Sequence, residues 1–284
     1  MMKTFLAATT SVALALAFGA SATTAVAQTE IKIPLETPAA HIKTRTAEVF
    51  KAELEKMSAG KYKVTLYPAG QLMAGKDEVP AVARGQVQMA MPTIGYVSTI
   101  EPAFKLLETP MLFDSYDSME TVLNGPVGAD LLAKLGAKRL MGAGFWYDGF
   151  VALWSNKPIR TLADFKDKKI RVFPSEVLAS STEALGAAPT AIPGAEVFLA
   201  LKQGVADGAW TTAPYGNDAL AAGKAYNLKE ITNSINNAYK NVAANGMEVV
   251  EFSAEERTRW IAALKPLYDG LDPEIKALLA KIKK

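Results

Sequence analysis

The chain has 284 residues, no cysteine, a single histidine (His41) and a formal net charge of +2 at neutral pH. Disulfides, thiolate chemistry and Cys-based zinc sites are thereby excluded, and the balanced charge gives no reason to expect nucleic acid or anionic lipid as a partner. With 50% hydrophobic residues, the chain can build one large or two small cored domains without cross-links.

Met1 to Ala27 reads as an export signal. Lys3 supplies the positive start, Phe5 to Phe18 is apolar and rich in Ala and Leu, and Ala25-Val26-Ala27 is a small-x-small cleavage site. The apolar run is shorter than the roughly 20 residues that cross a bilayer. No later segment has a long uncharged apolar run, so a soluble exported protein without direct membrane insertion is expected from Gln28 onward.

Glu30–Leu35 alternates apolar and polar residues and predicts a strand. His41–Met57 carries Ile42, Val49, Phe50 and Leu54 at near-helical spacing, with Gly60 as a stop. Tyr62–Tyr67 predicts a second strand, Lys76–Arg84 a helix despite Pro80, and Val87–Met91 a third strand. Arg139–Phe145 and Phe150–Trp154 read as extended runs around a Tyr147-Asp148-Gly149 turn. Thr161 and Asp164 stand at capping-box spacing for a short helix, as do Ser253 and Glu256 for a helix through Leu264. Asp272-Pro273 opens a last helix. Strands alternating with helices of this length predict an α/β protein with mainly parallel sheets.

The stretch Lys169–Asp218 is the most informative. Lys169-Ile170-Arg171-Val172 predicts a strand carrying one arginine. Two helices follow, and Gly204–Trp210 predicts a strand that ends at a tryptophan. A fixed cation and a large aromatic then stand at neighbouring strand ends, where open α/β sheets bind small ligands. On the residues alone, Arg171 reads more readily as a solvated residue beside the Lys166–Lys169 charge run, and Trp210 also reads as a core tryptophan, which is common at strand ends. Ala83–Ala90 resembles Lys202–Ala209, each a helix stopping at glycine before a strand. That echo fits either two similar lobes facing across a cleft or ordinary glycine-capped turns.

Catalytic motifs are sparse. The sequence has no Gly-x-Ser-x-Gly elbow, no His-Glu-x-x-His pair and no Walker A loop, and Tyr147 replaces the third glycine of the run begun by Gly142-Ala143-Gly144. A two-carboxylate hydrolase survives only because Asp and Glu are plentiful.

Several motifs in order resemble the DctP-type substrate-binding proteins of TRAP transporters. They are His41 with Phe50 and Gly60-Lys61, Leu66-Tyr67-Pro68-Ala69-Gly70-Gln71-Leu72, Leu162–Lys166 before Lys169–Val172, and Glu196–Leu201 before Gly204. The resemblance implies a two-lobed periplasmic-binding-protein fold with a ligand cleft between the lobes. It implies lobe 1 over 28–145, lobe 2 over 146–230, and C-terminal helices over 231–284 packing across both, behind a signal peptide at 1–27. It also implies that Arg171 pairs with a substrate carboxylate and that a monomer delivers a small organic acid to TRAP membrane subunits; no cofactor is expected and no metal ligand is assigned, although one branch of the family can hold a metal ion near the carboxylate.

Trp210 with Pro214, Tyr215 and Asp218 resembles the branch taking 2-oxo and 2-hydroxy acids. Val151 stands where many members carry a second arginine, Thr93 where sialate-type members carry glutamate, and Thr211 where asparagine is common. The expected site is Arg171, Trp210, Thr211, Thr93, Phe150, Tyr147 and Tyr215, its aromatic residues covering the flat or apolar body of a monocarboxylate. The family's long lobe-spanning helix finds no counterpart between Ile231 and Val250. That absence opens a second reading, a shortened or sensory receptor that binds acid without supporting transport.

Overall fold

The computed structural model describes residues 28–212, 239–240 and 248–282. The expected signal segment, Tyr215, Asp218 and most of the 231–250 segment, where the missing helix was expected, lie outside the described residues.

Two groups of elements form. In the first, β1 (Thr29–Pro34) runs parallel to β2 (Tyr62–Tyr67), with Ile31 opposite Val64 and Ile33 opposite Leu66. The crossover between them is α1 (Ile42–Met57), which buries Ala47 against Ile33, Leu35 and Val64. Ala59 and Gly60 both take positive φ after the helix, so the expected stop falls where glycine's conformational freedom is needed. Then come α2 (Gly75–Ala83), α3 (Ile94–Ser98), a 3-10 turn at Pro102–Glu108, α4 (Tyr116–Leu123) and α5 (Pro126–Lys134). Val97, Phe104, Leu106, Val127 and Leu131 form the core of this group.

The second group is a four-stranded sheet in the order β3-β6-β4-β5, from β3 (Val151–Ser155), β4 (Lys169–Val172), β5 (Ala188–Ala191) and β6 (Gly208–Thr212). β4 is parallel to β5 and β6, and β3 is antiparallel to β6. The helices α6 (Leu162–Phe165), α7 (Glu176–Ala184) and α8 (Val197–Lys202) connect them.

The C-terminal helices divide between the groups. α9 (Ala254–Asp269) buries Trp260 and Leu264 with Phe165, Ile170 and Leu185 of the second group, while α10 (Pro273–Ile282) buries Ile275 and Leu278 with the core of the first. The result is a two-lobed α/β fold.

One predicted strand does not form, and one predicted extended run joins no sheet. Val87–Met91 lies alongside β1 and packs Met89 and Met91 on its core, but the Lys32 N–H donates to the Gln88 side chain at 3.0 Å rather than to a strand carbonyl. Arg139–Phe145 is extended yet unladdered; its side chains anchor it singly, Phe145 packing on Phe104 at 6.4 Å between ring centroids. Conversely, β5 forms where no strand was expected. Its Pro189 lies on an edge strand, where a missing donor is tolerated.

Candidate functional site

Arg171 stands near the carboxyl end of β4, and the parallel register sets Thr190 and Ala209 beside it. Side chains alternate along strands, so Thr190, Arg171, Ala209 and Thr211 share one face, while Ile170, Trp210 and Leu153 share the other. That division settles the reading of Arg171 as a solvated residue: its side chain is 4% exposed. Its Nε donates to the Ile192 carbonyl at 2.8 Å and its Nη1 to the Trp210 carbonyl at 3.1 Å. The guanidinium is therefore oriented by the carboxyl ends of both neighbouring strands.

The remaining expected residues distribute unevenly. Thr211 is buried on the Arg171 face. The Trp210 ring points the other way, into the second core: it lies 5.9 Å from Phe165 between centroids, and its Nε1 donates to Thr182 Oγ1 at 3.0 Å. Phe150 stacks on Tyr116 with centroids 4.4 Å apart, and its amide donates to the Tyr116 hydroxyl. Tyr147 interacts with Asn124. These aromatic rings therefore have partners of their own.

The first lobe supplies what the sequence reading missed. Glu36 follows β1 after a single residue, Leu35, and is held by the turn after β2: the Ala69 N–H donates to the Thr37 carbonyl at 2.8 Å and the Gly70 N–H to the Leu35 carbonyl at 2.9 Å. Lys43 Nζ donates to Glu36 Oε1 at 2.9 Å and to Thr93 Oγ1 at 3.3 Å, and the Thr93 hydroxyl also donates to Glu36. Tyr96, from α3, hydrogen-bonds Glu36 as well. Burial pushes the Glu36 carboxyl up, but Lys43 and the hydrogen bonds from Thr93, Lys43 and Tyr96 together hold it below its ordinary value. Gly75 makes room for this cluster, since a Cβ there would lie 2.6 Å from Glu36 Oε2 and 2.8 Å from the Tyr96 ring.

Beside this cluster, Glu78 is fully buried, and neither of its carboxyl oxygens meets hydrogen-bond geometry, although the Glu36 amide lies near. Burial pushes its acid up to about 8; Lys43 opposes that shift and Glu36 adds to it. The readable signals were an acidic residue directly after a strand and a glutamate inside the apolar stripe of α2, where charged residues are rare.

Further along the first lobe, His41 caps α1, its Nδ1 accepting from the Lys43 N–H at 3.2 Å, while Nε2 faces Asp148 of the predicted turn at 3.5 Å. Burial lowers the His41 pKa against the raising effect of Asp148, favouring the neutral ring.

The lobes meet beside these groups. Pro174, just after β4, has its carbonyl against Gly95 of α3, and Lys105 of the first lobe pairs with Glu176 of the second at 2.5 Å. Tyr96 and Arg171 are near enough to interact electrostatically. An open depression bounded by Arg160, Glu248, Ser253 and Arg259 lies elsewhere, and its charges are paired, Arg160 with Glu248 and Arg259 with Glu255 and Glu256. Among the described residues, no group of three or more His, Asp or Glu side chains could hold a metal ion, and no helix is long and apolar enough to cross a membrane.

Two α/β lobes, an inward arginine at strand ends and an opposed polar wall define a solute-binding protein of the two-lobed periplasmic type. The family profile for bacterial extracellular solute-binding proteins, family 7 (DctP), matches residues 35–219. The chain belongs to that family, whose members bind substrates rather than transform them. It is 34% identical over 200 residues to the C4-dicarboxylate-binding periplasmic protein DctP of Rhodobacter capsulatus, covering 70% of this chain and 59% of that one. It is 31% identical over 186 residues to a solute-binding protein of Verminephrobacter eiseniae, covering 65% and 56%. The chain thus spans less than two thirds of the length of these curated relatives.

Among solved structures, a TRAP periplasmic solute-binding protein of Xanthobacter autotrophicus with bound β-D-galacturonate superposes with a TM-score of 0.77 at 28% identity, over 89% of this chain and 99% of that one. A Polaromonas protein bound to D-erythronate shares the fold, with a TM-score of 0.81 at 22% identity over 90% and 98%.

Proposed function

We propose that this protein is an exported, monomeric, periplasmic receptor that captures a small organic acid between its lobes and hands it to the membrane subunits of a TRAP-type transporter. The observation that carries the reading is Arg171: a guanidinium 4% exposed, at the carboxyl ends of parallel strands, fixed by two backbone carbonyls. A guanidinium presents a planar fork that matches a carboxylate in two parallel hydrogen bonds. Lobe closure removes water from that pair, and the attraction strengthens as the local dielectric falls. Thr211, buried on the same face, adds a hydroxyl beside the anchor. The named ligands of the relatives, a C4-dicarboxylate, galacturonate and erythronate, are all acids, which supports the class.

The test is a thermal-shift screen of the protein from Gln28 onward against organic acids. A ligand at 100 times its Kd adds about 2.7 kcal/mol, so true ligands give clear upward shifts. Arg171→Ala abolishes the shift while the variant still melts cooperatively. Undiminished affinity in Arg171→Ala would remove the anchor, and stronger shifts from amines or neutral sugars than from acids would remove the substrate class.

A further inference from the structure

On the first-lobe side of Arg171, where Tyr96 is near enough to interact with it electrostatically, stand Glu36, Lys43, Thr93 and Tyr96 with the fully buried Glu78, two carboxyl groups and one ammonium among them. Lys43 is committed to Glu36 at 2.9 Å and to Thr93 at 3.3 Å. A second ligand carboxylate arriving here would meet the Glu36 charge with the local cation already engaged, and like charges in a low-dielectric site repel strongly.

Hydroxyl groups fit the same wall. Each can donate to a carboxylate and accept from a neighbour, and Glu36 presents a charged acceptor whose Oε2 lies over Gly75 beside the Tyr96 ring. Glu78 is fully buried, and the only group near its carboxyl oxygens that favours its charged form by a hydrogen bond is the Glu36 amide, so its burial is poorly compensated. Its acid, pushed up to about 8, keeps a proton to donate at neutral pH.

We propose that Glu36, with Tyr96 and Glu78 beside it, determines the specificity of the cleft, taking the hydroxyl groups of a polyhydroxylated monocarboxylate and turning away a second carboxylate. This replaces the flat or apolar ligand body expected from sequence, since Trp210, Phe150 and Tyr147 have other partners. The inference rests on Arg171 holding the ligand's carboxylate.

Three four-carbon acids separate the possibilities: D-erythronate (hydroxylated monoacid), butyrate (plain monoacid) and succinate (diacid). D-Galactonate serves as a longer hydroxylated probe. In calorimetric titrations at fixed ionic strength, the hydroxylated acids bind at least about tenfold tighter than butyrate or succinate, the effect of one hydrogen bond to a charged group. Glu36→Gln weakens the hydroxylated acids by about ten- to a hundredfold, leaves butyrate unchanged and narrows the gap to succinate.

Succinate binding the unsubstituted protein as tightly as the hydroxylated acids overturns the proposal, as does an unchanged erythronate-to-succinate ratio in folded Glu36→Gln. The first comparison decides even if that variant fails to fold, and Glu78→Gln provides a second one. If succinate binds as tightly as the hydroxylated acids and Arg171→Ala abolishes its binding, only this inference falls. If no acid binds at all, the reading of Arg171 falls with it.

Discussion

Arg171 and Glu78 are both buried charged-type residues, and the sequence treats them differently. Arg171 interrupts a short apolar strand, so the alternation that predicts β4 also predicts that a cation stands within it, and only its burial had to come from the fold. Glu78 sits in the first turn of α2 beside Asp77, where acidic residues suit any helix N-terminus, so its place in the apolar stripe was the one hint of its burial. The consequence is measurable. The folded-state acid of Glu78, at about 8, lies above its ordinary 4.5, so between those values the folded protein holds a proton that the unfolded chain has released. The associated stability is complete below about pH 4.5, declines as pH rises and is gone once pH passes about 8, with a slope of at most about 1.4 kcal/mol per pH unit. Glu78→Gln, neutral throughout, flattens the fall of the melting midpoint between pH 5 and 8. Parallel curves for the two proteins would show that Glu78 is ionised in the fold.

Among the elements, those with a local chemical signature were legible and those held by distant partners were not. The Thr161–Asp164 capping box forms as read, and the Ser253 hydroxyl accepts from the Glu256 N–H at 3.1 Å. The Glu256 carboxylate, however, does not complete a reciprocal box. It accepts from the Leu162 N–H at the start of α6 and from Trp260 Nε1 at 3.1 Å, tying α9 to α6 across the sequence. The two residues of one motif therefore differ in weight. Ser253→Ala loses a cap, about 1 kcal/mol. Glu256→Ala leaves the Leu162 N–H and the Trp260 Nε1–H without their acceptor and costs more than the lost cap. Urea titrations of both variants measure the difference, and equal losses would reduce Glu256 to an ordinary helix residue. The turn Tyr67–Gly70 is the converse case. It was recognised as a motif, but its task of holding Leu35–Thr37, and so Glu36, depends on pairing with β1 and could not be read from its own residues.

The whole molecule turns on how the lobes meet. The C-terminal chain joins both cores through α9 and α10, and the Gly95–Pro174 and Lys105–Glu176 contacts bring α3 and the loop after β4 together beside Arg171 and Tyr96. Gly95 is the tightest of these points: a Cβ there would lie 2.2 Å from the Pro174 carbonyl oxygen, a backbone atom of the other lobe that cannot rotate aside. Gly95 is the second residue of α3 and does not have positive φ, so its own conformation does not require glycine, and alanine is the better helix former. Gly95→Ala therefore acts where the lobes touch. Because the contact is present in the structure without ligand, Pro174 must move in the unliganded variant as well, and its melting midpoint falls below that of the wild type. Ligand affinity falls at least about tenfold, because displacing Pro174 costs more than about 1.4 kcal/mol. Small-angle scattering at saturating acid shows no contraction in the variant where the wild type contracts. A variant that melts, binds and contracts like the wild type would show that Pro174 yields to the added methyl group without cost.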